Sequence, residues 1–224
     1  IRDSEYIIQT DALSNMYSEA ISNSFNNGQN AVSYPDTDIS NQLKTVARLI
    51  SGGLESKVYM VKLSGFDTHF GQNQAENDIL GDHNDLLTKL SSAVTAFMND
   101  LSAMNLKNDV VGLTYSEFGR KAAENGSLGT DHGEIAPMFV FGAPVKGGVS
   151  GFNPDLNEAN ENNGYQIQTV QFDYRDTLGT LLQDYLGVDN LALDATFFNN
   201  TLNQSFSETK IEDLIKSEFS VPTN

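Results

Sequence analysis

The stretch KVYMVKLSGFDTHFGQ, residues 57–72, decides how this chain is expected to fold. Its first seven residues are rich in side chains that favour β structure and are short enough for one buried strand. GFDTH follows at the carboxyl end of that strand, with Asp67 and His69 two residues apart. Asp67-Thr68-His69 reads either as a hydrogen-bonded turn or as half of a metal site.

Downstream, residues 75–104 carry Ile79, Leu80, Leu86, Leu87, Leu90, Val94, Phe97, Met98 and Leu101 as one apolar stripe, the pattern of a long helix. DVVGLTY (109–115) is the next expected strand, with SEFGR at its end, and APMFVFGAPV (136–145) is a third, directly preceded by GTDHGE. Strand, long helix, strand predicts residues 57–63 and 109–115 as neighbouring parallel strands joined by a helical crossover. The expected fold is α/β, a parallel or mixed sheet sandwiched by helices. Ligands in such sheets bind beyond the carboxyl ends of the strands.

Upstream, Tyr6, Ile7, Ala12, Leu13, Met16 and Ile21 recur at three- and four-residue steps and predict a helix over 3–24. Residues 26–37 read as a loop. A second helix over 39–50 has Leu43, Val46, Ala47 and Ile50 on one face and stops at Gly52-Gly53. Beyond the third strand, 146–164 reads as a Gly- and Asn-rich surface loop. A helix over 174–186 turns Leu178, Leu181, Leu182 and Tyr185 inward and is capped by Gly187. There is no internal repeat; residues 1–224 read as one domain, with 199–224 a peripheral tail.

The 224 residues suffice for a sizeable core, and the formal net charge is −17, from 13 Lys and Arg against 30 Asp and Glu. That field repels phosphate backbones and anionic lipid, which argues against nucleic acid and membrane surfaces as partners. The chain has no Cys, hence no disulfide, thiolate nucleophile or Cys-ligated zinc. No apolar run approaches the roughly 20 residues a membrane helix needs. A chain opening at Ile1-Arg2 is expected to be a processed one or part of a longer protein.

Of the three histidines, His69 and His132 follow Asp in Gly-flanked loops at the expected active edge. With Glu117 they make a candidate ligand set of two imidazoles and two or three carboxylates: Asp67, His69, Glu117, His132 and, as ligand or as orienter of His132, Asp131. That mix suits zinc or manganese first, then magnesium or calcium. Arg120 reads either as a helix-start ion pair or as an oxyanion clamp. His83 continues the helical stripe and takes a structural role. Asp173 and Arg175 read as a structural ion pair, and Asn125, Gly126 and Gly129 as tight-loop geometry.

GFDTHFGQ, LLTKLSSAVTAFMNDL, LTYSEFGRKAAENGSLGTDHGEIAPMFVFGAPVKGG and FDYRDTLGTLLQDYLG together resemble the bacterial domain-of-unknown-function family numbered 1501 over residues 43–188. That family resembles the alkaline phosphatase and sulfatase superfamily, whose members hold two metals at the edge of a mixed sheet. The resemblance implies that Asp67 and His69 match the superfamily's Asp/His pair at a shorter spacing. GTDHGEIAPMFVFG is similar to the late-His segment of phosphopentomutases, which makes His132 the late ligand. Ser116-Glu117 stands where the superfamily has Asp-His, and no nucleophile-bearing segment is found in residues 1–50.

These readings predict a metal-dependent hydrolase of small-molecule or polymer phosphate or sulfate esters, with Arg120 and Asp131 in catalytic support. The chain is expected to be the C-terminal portion of a larger alkaline-phosphatase-like domain, completed by an N-terminal segment or a partner chain. The rival expectation is a degenerate binding or structural protein of the cell envelope. Lack of Cys, acidic charge and Asn/Ser/Thr-rich loops predict export to the periplasm or cell surface.

Overall fold

A computed structural model describes residues 2–77, 79–198 and 210–221. The chain divides into two compact units, residues 1–107 and 108–224.

The first unit holds three helices, α1 (Arg2–Asn27), α2 (Asp38–Ser51) and α3 (Asp82–Ala103). The Thr37 hydroxyl accepts the Ser40 amide and starts α2. Every fourth residue of α2, Ile39, Leu43 and Ala47, is buried, and so are Leu86, Ala93, Ala96, Phe97 and Leu101 of α3. The two helices pack on each other through these faces. Each fully buried Leu or Phe adds about 1.5–3 kcal/mol. Where α1 ends beside the end of α2, glycine is obligatory on both sides. A Cβ on Gly28 would fall on the Arg48 carbonyl, and one on Gly52 on the Ser24 carbonyl. The expected helices over 3–24 and 39–50 are thus present. Leu13, Met16 and Ile21 of α1 nevertheless stay exposed.

The long helix begins at Asp82 rather than near residue 75. Gly81 sits at φ +137, outside any helix, and the preceding polar turn closes on itself through Gln74 N–H to Leu80 O (2.8 Å) and Asp82 N–H to Gly71 O (3.1 Å). Ile79 and Leu80, read as part of the stripe, lie in that turn and are exposed.

The expected strand over 57–63 does not join a ladder. It keeps its period-two burial, with Tyr59, Val61 and Leu63 half-buried between exposed neighbours. The Lys62 backbone finds its partner in a side chain: its N–H donates to Gln42 Oε1 (2.9 Å) and its carbonyl accepts from Gln42 Nε2 (2.9 Å). A glutamine of α2 stands where a neighbouring strand was expected.

The second unit contains β1 (Gly112–Leu113), β2 (Gly119–Glu124), β3 (Thr130–Gly133), β4 (Val140–Phe141), α4 (Tyr174–Asp184) and α5 (Asn190–Leu193). Its ladders are β1 with β4 and β2 with β3, both antiparallel. Among the described residues there is no parallel pair, so the expected parallel arrangement gives way to a mixed helix and strand protein with small antiparallel sheets. The strands expected over 109–115 and 136–145 shrink to two residues each. Pro137 and Pro144 have no N–H to donate, and Gly142 at φ +135 turns the chain out of the ladder.

Helix α4 reverses one expectation. Leu178, Leu181, Leu182 and Tyr185 are only half-buried, whereas Asp176, Thr177, Thr180, Gln183 and Asp184 are buried. The reason is the segment 210–221, part of the stretch read as a peripheral tail, which bonds to polar groups of α4. Thr180 Oγ1 accepts the Ile211 amide (3.1 Å), Asp184 pairs with Lys210 (2.5 Å), and the Val221 amide donates to the Asp184 carbonyl (2.8 Å). Ile211, Leu214 and Ile215 are buried in the process. The rest of that stretch, 199–209 and 222–224, lies outside the described residues. No described helix is long and apolar enough to cross a membrane.

Asp173 and Arg175 form the expected ion pair (2.6 Å), and Asp173 caps α4. The Arg175 guanidinium hydrogen bond, opposed by burial, holds the Asp173 carboxyl below the usual carboxylate range. A depressed folded pKa contributes stability above the unfolded value that is lost as pH falls through the folded one. The stability advantage of wild type over Asp173→Asn should therefore shrink as urea melts are taken from neutral pH to below about 4.

Candidate functional site

The chemistry-bearing residues lie in a loop of the first unit and a hairpin of the second. In the loop, Asp67 Oδ1 lies 2.7 Å from His69 Nδ1. Between them Thr68 is buried, its amide donating to the Phe66 carbonyl (2.9 Å) and its hydroxyl to Gln72 Oε1 (3.0 Å). Thr68 is thus the anchor that turns Asp67 and His69 outward together. Asp67 Oδ1 and His69 Nδ1, one oxygen and one nitrogen, are close enough to meet in a hydrogen bond or to share a single cation. His83 is half-buried at the start of α3, its ring edge-on to Phe66 at 5.9 Å, in keeping with a structural role.

The hairpin places Arg120 opposite His132 in register, with Gly119 opposite Gly133. Residues two apart on a strand share a face, and cross-strand partners share it too. Phe118, Arg120 and His132 therefore stand together. The His132 ring stacks on Phe118 at 3.8 Å between centroids and 9° between planes, and the Arg120 guanidinium lies 5.0 Å from the same ring. Arg120 also donates to the Thr130 carbonyl across the hairpin. It sits in a strand, not at the helix start that one reading of SEFGR implied.

Asp131 belongs to the opposite face of β3. It pairs with Lys121 (3.4 Å) and accepts from Asn125 Nδ2 (3.4 Å). Glu117 is exposed just ahead of β2. The turn between the strands uses Asn125, Gly126 and Gly129 as expected. Asn125 N–H donates to Gly129 O (3.0 Å), Asn125 Oδ1 accepts from Ser127 N–H (3.0 Å), and Gly126 takes φ +81.

Phe118 and Gln166 were not singled out by the sequence. Gln166 bridges from the His132 carbonyl (3.3 Å) to the Glu134 amide (3.2 Å), steadying the strand end behind the imidazole. The hairpin alternation could have exposed Phe118, because it lies two residues from Arg120. Nothing local marks Gln166, which sits 34 residues from His132.

The loop of the first unit thus presents a carboxylate beside an imidazole, and the hairpin of the second presents an imidazole oriented by stacking. No curated protein and no solved structure matches the chain. The family described as "Protein of unknown function (DUF1501)" matches residues 14–189, most of the chain, and the protein belongs to that family.

Proposed function

We propose that this protein is a metal-dependent hydrolase of phosphate or sulfate esters, with Asp67, His69, Glu117 and His132 as the residues that would hold the ion. The observation that carries this reading is the 2.7 Å separation of Asp67 Oδ1 and His69 Nδ1 on exposed side chains, a spacing at which one cation can take both atoms as ligands. Zinc or manganese suits the nitrogen and oxygen donors best. Bound there, such an ion supplies Lewis acidity toward an ester oxygen and an activated water.

The chain's own residues contribute orientation and charge. Phe118 holds the His132 ring, and Arg120 brings a fixed positive charge to the same face, suited to an oxyanion. Asp131, on the other face with Lys121, supports the hairpin that carries His132. The likeness to alkaline phosphatases and sulfatases, an exported location in the periplasm or at the cell surface, and completion of the domain by a further segment or partner chain belong to the same proposal. Chelator-sensitive turnover in a screen of aryl phosphate and sulfate esters with the full-length protein is the expected result.

One observation favours a second reading, a degenerate binding or structural protein of the cell envelope. Ser116 and Glu117 stand where the superfamily has Asp-His, and both are exposed. Metal binding without turnover in the same screen would select that reading.

A further inference from the structure

A cleft in the first unit, distinct from the residues assigned above, is lined by Gln29, Asn30, Ser33 and Tyr34 of the α1–α2 loop and by Lys44 and Arg48 of α2. We infer that this cleft is a binding site for a tetrahedral oxyanion, a phosphate or sulfate group. Lys44 and Arg48 are one helical turn apart, so their charges share a face and repel each other. In a chain of net charge −17, carboxylates are abundant, yet neither side chain forms an ion pair among the described residues. Arg48 is held in place by its Nε, which donates to the Phe25 carbonyl (2.7 Å), and by the Phe25 ring 4.1 Å beneath the guanidinium. Those contacts leave its two terminal nitrogens without a protein acceptor among the described residues.

The opposite wall is fixed before any ligand arrives. Ser51 Oγ accepts the Gln29 amide (3.0 Å) and donates to the Gln29 carbonyl (2.9 Å), and the buried Asp100 carboxylate holds Asn30, Ala31 and Tyr34. The Ser33 hydroxyl and Gln29 side-chain amide, both in exposed residues, make no hydrogen bond among the described residues. Donors thus approach from the helix and from the loop. A carboxylate offers two oxygens in one plane and suits a single fork, whereas a tetrahedral anion can accept from both walls. The loop backbone and the Arg48 guanidinium are held before a ligand arrives, which lowers the ordering cost of binding.

The test is an amide-resolved NMR titration of the full chain with sodium phosphate, sulfate or acetate, ionic strength held constant with sodium chloride. Phosphate and sulfate should give saturable shifts centred on residues 28–34, 44 and 48, and acetate should bind more weakly. Lys44→Met, at an exposed side chain with no structural partner, should lower phosphate affinity about tenfold, as loss of one charge-assisted hydrogen bond implies. Lys89→Met on exposed α3 surface should bind like wild type. Shifts that stay linear, acetate binding as tightly as phosphate, or unchanged affinity in Lys44→Met would each overturn the inference.

Discussion

Asp100→Ala is expected to destabilise the protein by about 4 kcal/mol, because the hydrogen bonds it takes from the α1–α2 loop are lost together and a buried donor left unsatisfied costs about 1–3 kcal/mol. The Asp100 side chain is wholly buried on α3, and its two oxygens accept from Asn30 Nδ2 (2.8 Å), the Ala31 amide (2.6 Å) and the Tyr34 hydroxyl (2.8 Å). Removing them takes the acceptor from the Ala31 amide and the Tyr34 hydroxyl and leaves Asn30 Nδ2 only the Lys44 carbonyl. The Tyr34 hydroxyl reports the same environment: burial first, then the bond to Asp100, push it above the usual tyrosine range. Asp100→Asn keeps the shape and one acceptor oxygen but brings an NH₂ against the donors, so its cost should be smaller, about 2 kcal/mol. Urea denaturation of both variants measures this. A loss below about 1 kcal/mol for Asp100→Ala would mean the loop is held by something else.

Gly133→Ala should cost about 3 kcal/mol, at the upper end of overpacking effects, because the added methyl meets main chain rather than a flexible side chain. Gly133 faces Gly119 across the hairpin, and a Cβ on it would fall on the backbone of Arg120. The strands must separate, and the stacking of His132 on Phe118 should go with them. Thermal melts give the cost, and the ring-current shifts of His132 give the local consequence. Gly147→Ala, where nothing lies within 4 Å of the added Cβ, is the control expected to be neutral. If Gly133→Ala melted with that control and kept the His132 shifts, the tight register would not be what positions the imidazole.

The helices were legible because their signals are local. The spacing of Leu43 and Ala47, the Gly52 stop and the Asp173–Arg175 pair each need only neighbouring residues. The sheet was not, because a period-two pattern over 57–63 says which side chains face inward and nothing about what bonds the backbone. Gln42, some 20 residues away, supplied that partner at Lys62. Asp100 carried a readable signal: with Ala93, Ala96 and Phe97 it continues the buried face of α3, so an acidic residue there demanded donors from elsewhere. On α4 the leucines misled, since the buried face is a polar one matched to residues 210–221. At the candidate site, Asp67 and His69 were readable from the two-residue spacing. The stack that orients His132 depends on hairpin register, which one strand alone does not disclose.

Metal binding is the centre of the functional proposal, and thermal melts of wild type, His132→Ala and His83→Ala with zinc, manganese or chelator test it most directly. A cation bound only by the folded chain adds about 2.7 kcal/mol at a hundredfold excess over its dissociation constant. Protons compete for imidazole ligands, so this gain should fade as the medium is acidified through the range where imidazoles take up protons. The expected result is a metal-induced rise in melting temperature for wild type and His83→Ala, reversed by chelator and absent from His132→Ala. An equal rise in wild type and His132→Ala, or none in either, would contradict the assignment and leave Asp67-Thr68-His69 as a hydrogen-bonded turn.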